Sequence, residues 1–447
     1  MDRPSSSKSF RPAAAAAGGC LRRAASSLAI HAMLFGCCWH TFFCFIGSGA
    51  QVPGLSLAGT VAAAILAGEC RSRSKMPQRV REPRRGTQDS GSPEGEARML
   101  TSRITKTDSA AELLELLGKQ EQTRIFNEYH VTASMTKLAK LKRRRQLRQA
   151  DTRSPVWAKL AARLQDMLQQ DVLSPRSTAN VFYAVSELYD EMGKHMLQVL
   201  PMLSEAVRVK ATGMVEQALS NCLLAAGKLH DAAPEVLIAV PELSEQIRRK
   251  VASMNSQDLS NCIWASAKLH DASPQVLDLV PALAKRIANK VQDMISQALS
   301  NCLWSAAKLQ DASPEVLDSV PALAKHIVDK AKSMRAQELS NCLWAAAKLQ
   351  DASPEVLAAV PALAKHIPDM LDDMVPQALC ISFWAAAKLR QTSPEVLDLV
   401  PELIVRNGLV VRSFAPEGLR MSLWAAQQFE KHELVAKLQA EGNRRKR

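Results

Sequence analysis

Gln297, Asn301, Trp304 and Lys308 place two amides, an aromatic ring and a cation at helical spacing. At 100° per residue on a helix they fall within about 40° of one line. Single-stranded RNA asks for this set: amides that hydrogen-bond base edges, rings that stack on bases, and cations that meet phosphates. Parallel rows stand at Gln257, Asn261, Trp264 and Lys268, and at Gln337, Asn341, Trp344 and Lys348. A shorter row holds Gln217, Asn221 and Lys228, with Leu224 where the others have tryptophan. Each row also has a structural reading, in which the Trp wedges between adjacent helices and the amides only solvate helix ends.

Catalytic sets are missing at usable spacing. The sequence has no glycine loop shaped for phosphates, no zinc-type Cys/His cluster, no paired catalytic acids and no Ser/His/Asp set. His230 and His270 repeat in register, as do His326 and His366, and residues recurring at such a spacing read as surface or loop positions. Cys222, Cys262, Cys302, Cys342 and Cys380 recur inside an apolar helical pattern and read as small, reduced core residues. No catalytic residue, metal ligand or cofactor is expected. A second cationic element, Lys142, Arg143, Arg144 and Arg145, either grips phosphates or forms a solvated basic helix end.

The rows must be held by something periodic. Trp264, Trp304, Trp344, Trp384 and Trp424 stand 40 residues apart, and Pro234, Pro274, Pro314, Pro354 and Pro394 keep the same step, as do Pro241, Pro281, Pro321, Pro361 and Pro401. A fixed period of this length is the mark of a stacked repeat array. In one unit Leu299, Cys302, Leu303 and Ala306 form the apolar stripe of an amphipathic helix A, opposite the amide and Trp row. Ser313 as N-cap, Pro314 at the first helical position and Glu315 in the first turn open helix B. Pro321 inside that helix predicts a kink or a break at each Val-Pro pair. Neither helix can bury its stripe alone, so the expected fold is all-α, an α-solenoid of 40-residue helix-turn-helix repeats. Low aromatic content, 4%, with abundant Ala and Leu, argues against strands.

Around this array the chain divides further. Residues 1–75 read as a targeting leader, basic and Ser/Ala-rich at first, then apolar from Leu28 to Ile46 and again from Val52 to Ala67. The first run is long enough to span a bilayer, so a retained anchor competes with a cleaved signal peptide. Residues 76–102 read as a disordered linker, 103–172 as a degenerate helical region with the basic stretch, and 173–213 as a degenerate repeat. Five repeats fill 214–413, and a half repeat with a polar cap fills 414–447. The formal net charge is +13, yet residues 1–160 hold 26 basic and 12 acidic side chains, leaving 31 and 32 beyond them. The array is therefore close to neutral, and its charge alone does not announce nucleic acid.

Gln337 to Leu349, followed by Ser353-Pro-Glu-Val, resembles the octotricopeptide repeat, and Phe126-Asn-Glu-Tyr-His130 with Lys137 to Leu141 resembles that family's N-terminal region. The resemblance covers residues 103 to about 430. It implies an RNA-binding protein of the chloroplast, or alternatively the mitochondrion, acting on transcript stability, processing or translation. Partners implied are single-stranded organellar RNA and other RNA-processing or translation proteins, with a membrane only if the leader is retained. The leader itself resembles the two-part leaders of algae with complex plastids, a transit peptide following a signal peptide. A different class of function, a helical protein-interaction scaffold, fits the same architecture. If each unit reads one base, the identical Gln, Ser and Asn of the middle units predict the same base under each of them.

Overall fold

The structure, a computed structural model, describes residues 92–120, 125–192, 195–196 and 198–446. The leader, with its Leu28–Ile46 run, and the linker up to residue 91 lie outside the described residues. The first helices are α1 (Pro93–Lys106), α2 (Ala110–Gln120), α3 (Glu128–Arg143), α4 (Val156–Gln169), α5 (Pro175–Met192) and α6 (Leu200–Lys210). The repeats follow as A and B pairs: α7 (Glu216–Leu229) and α8 (Val240–Lys250), α9 (Ser256–Leu269) and α10 (Val280–Lys290), α11 (Ser296–Leu309) and α12 (Val320–Lys330). Then come α13 (Ala336–Leu349) and α14 (Val360–His366), α15 (Pro376–Leu389) and α16 (Val400–Val410), and finally α17 (Pro416–Gln428) and α18 (His432–Arg444). No strand occurs among the described residues.

This is an α-solenoid. Helices α3, α5, α7, α9, α11, α13, α15 and α17 each pack on the next and form one layer, while each B helix packs against the B arm of the following unit. The core lies between the layers, where Leu259, Cys262, Ile263, Leu283 and Ile287 of one unit are all fully buried or nearly so. Cys302 and Cys342 sit in this core, where burial pushes their thiols up to about 12. Thiols buried in this way pack as small apolar groups, and at neutral pH they are not ionised for nucleophilic attack. Serines stitch neighbouring A helices together: Ser300 Oγ donates to the Glu338 carbonyl at 3.2 Å, and Ser220 Oγ to Asp258 Oδ1 at 2.7 Å.

Helix B breaks at the Val-Pro pair. Its first part, Pro314–Ser319, is a 3₁₀ helix, and the α-helix restarts at Val320 with Pro321 in its first turn, where a missing N–H goes unused. Pro368 cuts the fourth B helix shorter still, at His366. Ser313 does not cap helix B as expected. With a 3₁₀ turn after it, its hydroxyl finds no amide to accept from and donates instead to Glu315 Oε2 at 2.9 Å.

The linker ends earlier than its composition suggests. Residues 93–102 belong to α1, whose Leu100 and Ile104 are buried, and His130 Nε2 holds the Ala97 carbonyl at 2.8 Å. Ser92 caps this helix by accepting from the Gly95 amide at 3.1 Å. At the other end α18 closes the array, and Arg445 donates to the carbonyls of Phe414 and Arg412 at 2.7 and 3.0 Å. No helix among the described residues is long and apolar enough to cross a membrane.

Candidate nucleic-acid interface

The A layer presents the expected rows along one face, but neighbouring helices lie so close that much of each row is covered. Trp264 is 1% exposed and Trp304 3%, so at these two positions the wedge between helices is the correct reading and the open stacking ring is not. Trp344, Trp384 and Trp424 are only half-buried. Trp304 stacks on Trp344 with centroids 6.4 Å apart and planes 29° apart, and Trp384 meets Trp424 at 6.2 Å, tilted by 45°. The rings thus form a ladder that opens toward its C-terminal end.

The amides need a similar correction. Asn261, Asn301 and Asn341 are buried rather than displayed, because the row faces the adjacent A helix as much as solvent. Asn261 Oδ1 accepts from Gln257 Nε2 at 2.9 Å, and its own Nδ2 donates to Asn221 Oδ1 at 3.4 Å. Gln337 Nε2 repeats the first bond to Asn341 Oδ1 at 3.0 Å. These bonds satisfy polar groups that would be costly to bury unpaired. Gln217 and Gln257 stay exposed, while Asn221, Gln297 and Gln337 are half-buried.

The lysines lie above the rings. Lys308 Nζ is 5.9 Å from the Trp304 centroid and 5.6 Å from that of Trp344. Lys348 stands 5.4 Å from Trp384, and Lys388 stands 5.8 Å from Trp384 and 4.8 Å from Trp424. A cation over an indole face within about 6 Å is attracted by the ring quadrupole. Burial lowers the Lys308 ammonium from its ordinary value, and the neighbouring cations Lys268 and Lys348 lower it further. Stacked like charges of this kind favour an anion between them.

Toward the N-terminus the charges are already answered. Lys228, half-buried, is bonded to Glu187 and lies 5.3 Å over the Tyr183 ring. Burial alone would raise the Glu187 carboxyl, but Lys228, Arg143 and Lys142 bring it below the usual carboxylate range. Lys268 lies 3.9 Å from Asp231. The basic stretch is divided: Lys142 is held by Glu191 at 2.5 Å and Asp190 at 3.4 Å, and Arg143 by Glu187 at 4.0 Å, whereas Arg144 and Arg145 are exposed at the end of α3. Lys142, half-buried between Glu191 and Asp190, acts first as an ion-pair partner, whereas Arg143 is exposed like Arg144 and Arg145 despite its Glu187 neighbour.

A cavity of about 530 Å³ opens over the C-terminal rungs, lined among others by Trp304, Lys308, Asn341, Trp344, Lys348 and Trp384. Arg420, bonded to Glu417, bounds its far end. Trp384, Lys388 and Trp424 were not among the sequence-selected residues, although they share the 40-residue period that could have found them. Cys380 and Ile381, where the middle repeats have Ser and Asn, masked the row at Trp384, and Arg420 and Met421 masked it at Trp424. His230, His270 and His326 bond to backbone carbonyls three or four residues earlier, and no group of three His, Cys, Asp or Glu among the described residues could hold a metal.

No protein-family model matches the chain, and no curated protein matches it.

Proposed function

We propose that this protein binds single-stranded RNA along the A face of its solenoid, and that it acts on organellar transcripts, in the plastid or else the mitochondrion. Binding there would affect transcript stability, processing or translation by covering RNA or recruiting other proteins, without catalysis by this chain. One observation carries the reading: Trp344 and Trp384 are half-buried rings lining one groove, Trp424 is a third half-buried ring tilted against Trp384, and lysines are set over all three. Rings give sequence-tolerant stacking and lysines give phosphate contacts, the two ingredients of single-strand binding. The organellar setting rests on the resemblance to octotricopeptide repeats and on the composition of the leader.

A protein scaffold that grips a peptide in the same groove is the second reading, favoured by the near-neutral balance of the array, 31 basic against 32 acidic side chains after residue 160. Titration of the chain with a mixed pool of single-stranded RNA at low and moderate salt separates the two. Binding that weakens steeply with salt supports RNA, because displaced counterions drive such binding. No binding at either salt overturns it in favour of the scaffold.

A further inference from the structure

Each rung of the A face differs in what is already attached to its cation. Lys228 is taken by Glu187, and Lys268 lies beside Asp231 with Trp264 sealed beneath the row. At the opposite end Arg420 is taken by Glu417. Between these carboxylates, Lys348 and Lys388 are exposed and make no ion pair with any acid among the described residues. Their ammonium groups rest instead on the faces of Trp384 and Trp424, at 5.4 and 4.8 Å from the ring centroids.

On the RNA-binding reading above, we infer that the strand occupies only the stretch from Trp344 to Trp424, and that Lys348 and Lys388 are placeholders. In the free protein each ammonium covers an indole face that would otherwise lie open to water. A nucleobase stacks on such a face more strongly than an exposed cation is held there. The arriving base takes the ring, and the flexible four-carbon stem lets the ammonium swing out to the phosphate of the same strand. One lysine thus serves two states, and no new group has to be brought in. The footprint is about three nucleotides, one for each accessible tryptophan. Beyond the Lys348 and Lys388 rungs the cations are already neutralised, Lys228 by Glu187 and Arg420 by Glu417, and Lys268 lies beside Asp231, so they offer a longer strand little phosphate attraction.

The test uses the full chain and single-stranded RNA of mixed sequence in lengths of three, six, nine and twelve nucleotides, with affinity read by fluorescence anisotropy. Affinity is expected to be nearly complete at the shortest lengths and to rise only slowly beyond them. The double variant K348Q/K388Q is expected to lose at least tenfold, and K228Q/K268Q to change less than twofold, with melting curves confirming that both fold. Intrinsic tryptophan fluorescence should be quenched by RNA in the native chain and remain quenched at saturation in K348Q/K388Q, because the rings still stack. An affinity that keeps climbing to twelve nucleotides, or an equal loss in K228Q/K268Q, overturns the confinement while leaving RNA binding in place. Quenching lost at saturation in K348Q/K388Q overturns the placeholder role. No binding at any length overturns both this inference and the RNA reading.

Discussion

The second and fourth repeats carry almost the same A helix, Gln257-Asp-Leu-Ser-Asn-Cys-Ile-Trp264 and Gln337-Glu-Leu-Ser-Asn-Cys-Leu-Trp344, yet they put it to different use. In the second, Trp264 is sealed and Lys268 has Asp231 nearby. In the fourth, Trp344 is half-open and Lys348 points its charge at the next ring. A motif therefore does not decide its own role in a solenoid. The neighbouring helix and the nearest carboxylate decide it, and eight residues that differ only at Asp258/Glu338 and Ile263/Leu343 become packing at one end and a candidate surface at the other.

The sharpest way to break that contrast is to remove the rings. Trp264→Ala is expected to cost about 3–5 kcal/mol of stability in denaturant titration, as for other buried large-to-Ala changes. Trp384→Ala should cost clearly less and lower RNA affinity instead. Equal destabilisation by the two would erase the distinction between sealed and open rungs.

The amides come next. Asn261→Ala removes a buried amide whose partners, exposed Gln257 and half-buried Asn221, can turn to water, and should cost about 0.5–1.5 kcal/mol, the net worth of a typical hydrogen bond. RNA affinity of the folded variant should be unchanged. A variant as stable as the native chain but weaker for RNA would return Asn261 to the base-reading role.

Salt measures the lysines. Two phosphate contacts on a single strand give a slope of about −1.4 in log affinity against log salt. K348Q/K388Q should flatten it, and K228Q/K268Q should not.

The smallest effect concerns pH. The Glu187 carboxyl is held below its ordinary value in the folded chain, so the unfolded chain binds that proton more readily. Its stabilising contribution is present above the ordinary carboxylate value, about 4.3, and is lost as pH falls through the lowered folded value. Glu187→Gln should remove that part of the acid loss, which stability curves at several pH values would register.

The solenoid could be read from the sequence because period and amphipathicity are properties of one helix and its own neighbours in the chain. The break in helix B followed from Pro321 and its equivalents for the same reason. Burial of Trp264 and Asn301 could not be read that way. The 100° rule gives an angle about one helix axis, while exposure depends on how closely a second helix approaches from 40 residues away. Helix α1 was missed in a stretch of low hydropathy, since its anchors, Leu100, Ile104 and the His130 bond, are tertiary. Its start signals were nevertheless present, Ser92 as cap, Pro93 in the first turn, and Glu94 and Glu96 after it. The ion pairs of Glu187 and Asp231 lie between units and left no local trace in sequence.

The most direct measurement is photocrosslinking of thiouridine-containing single-stranded RNA to the full chain, with the attached residues mapped by mass spectrometry. RNA binding at the open rungs predicts attachment in 336–349, 376–389 and 416–428, around Trp344, Trp384 and Trp424. Attachment confined to 216–229 and 256–269, to the B helices, or nowhere on the described solenoid would contradict it.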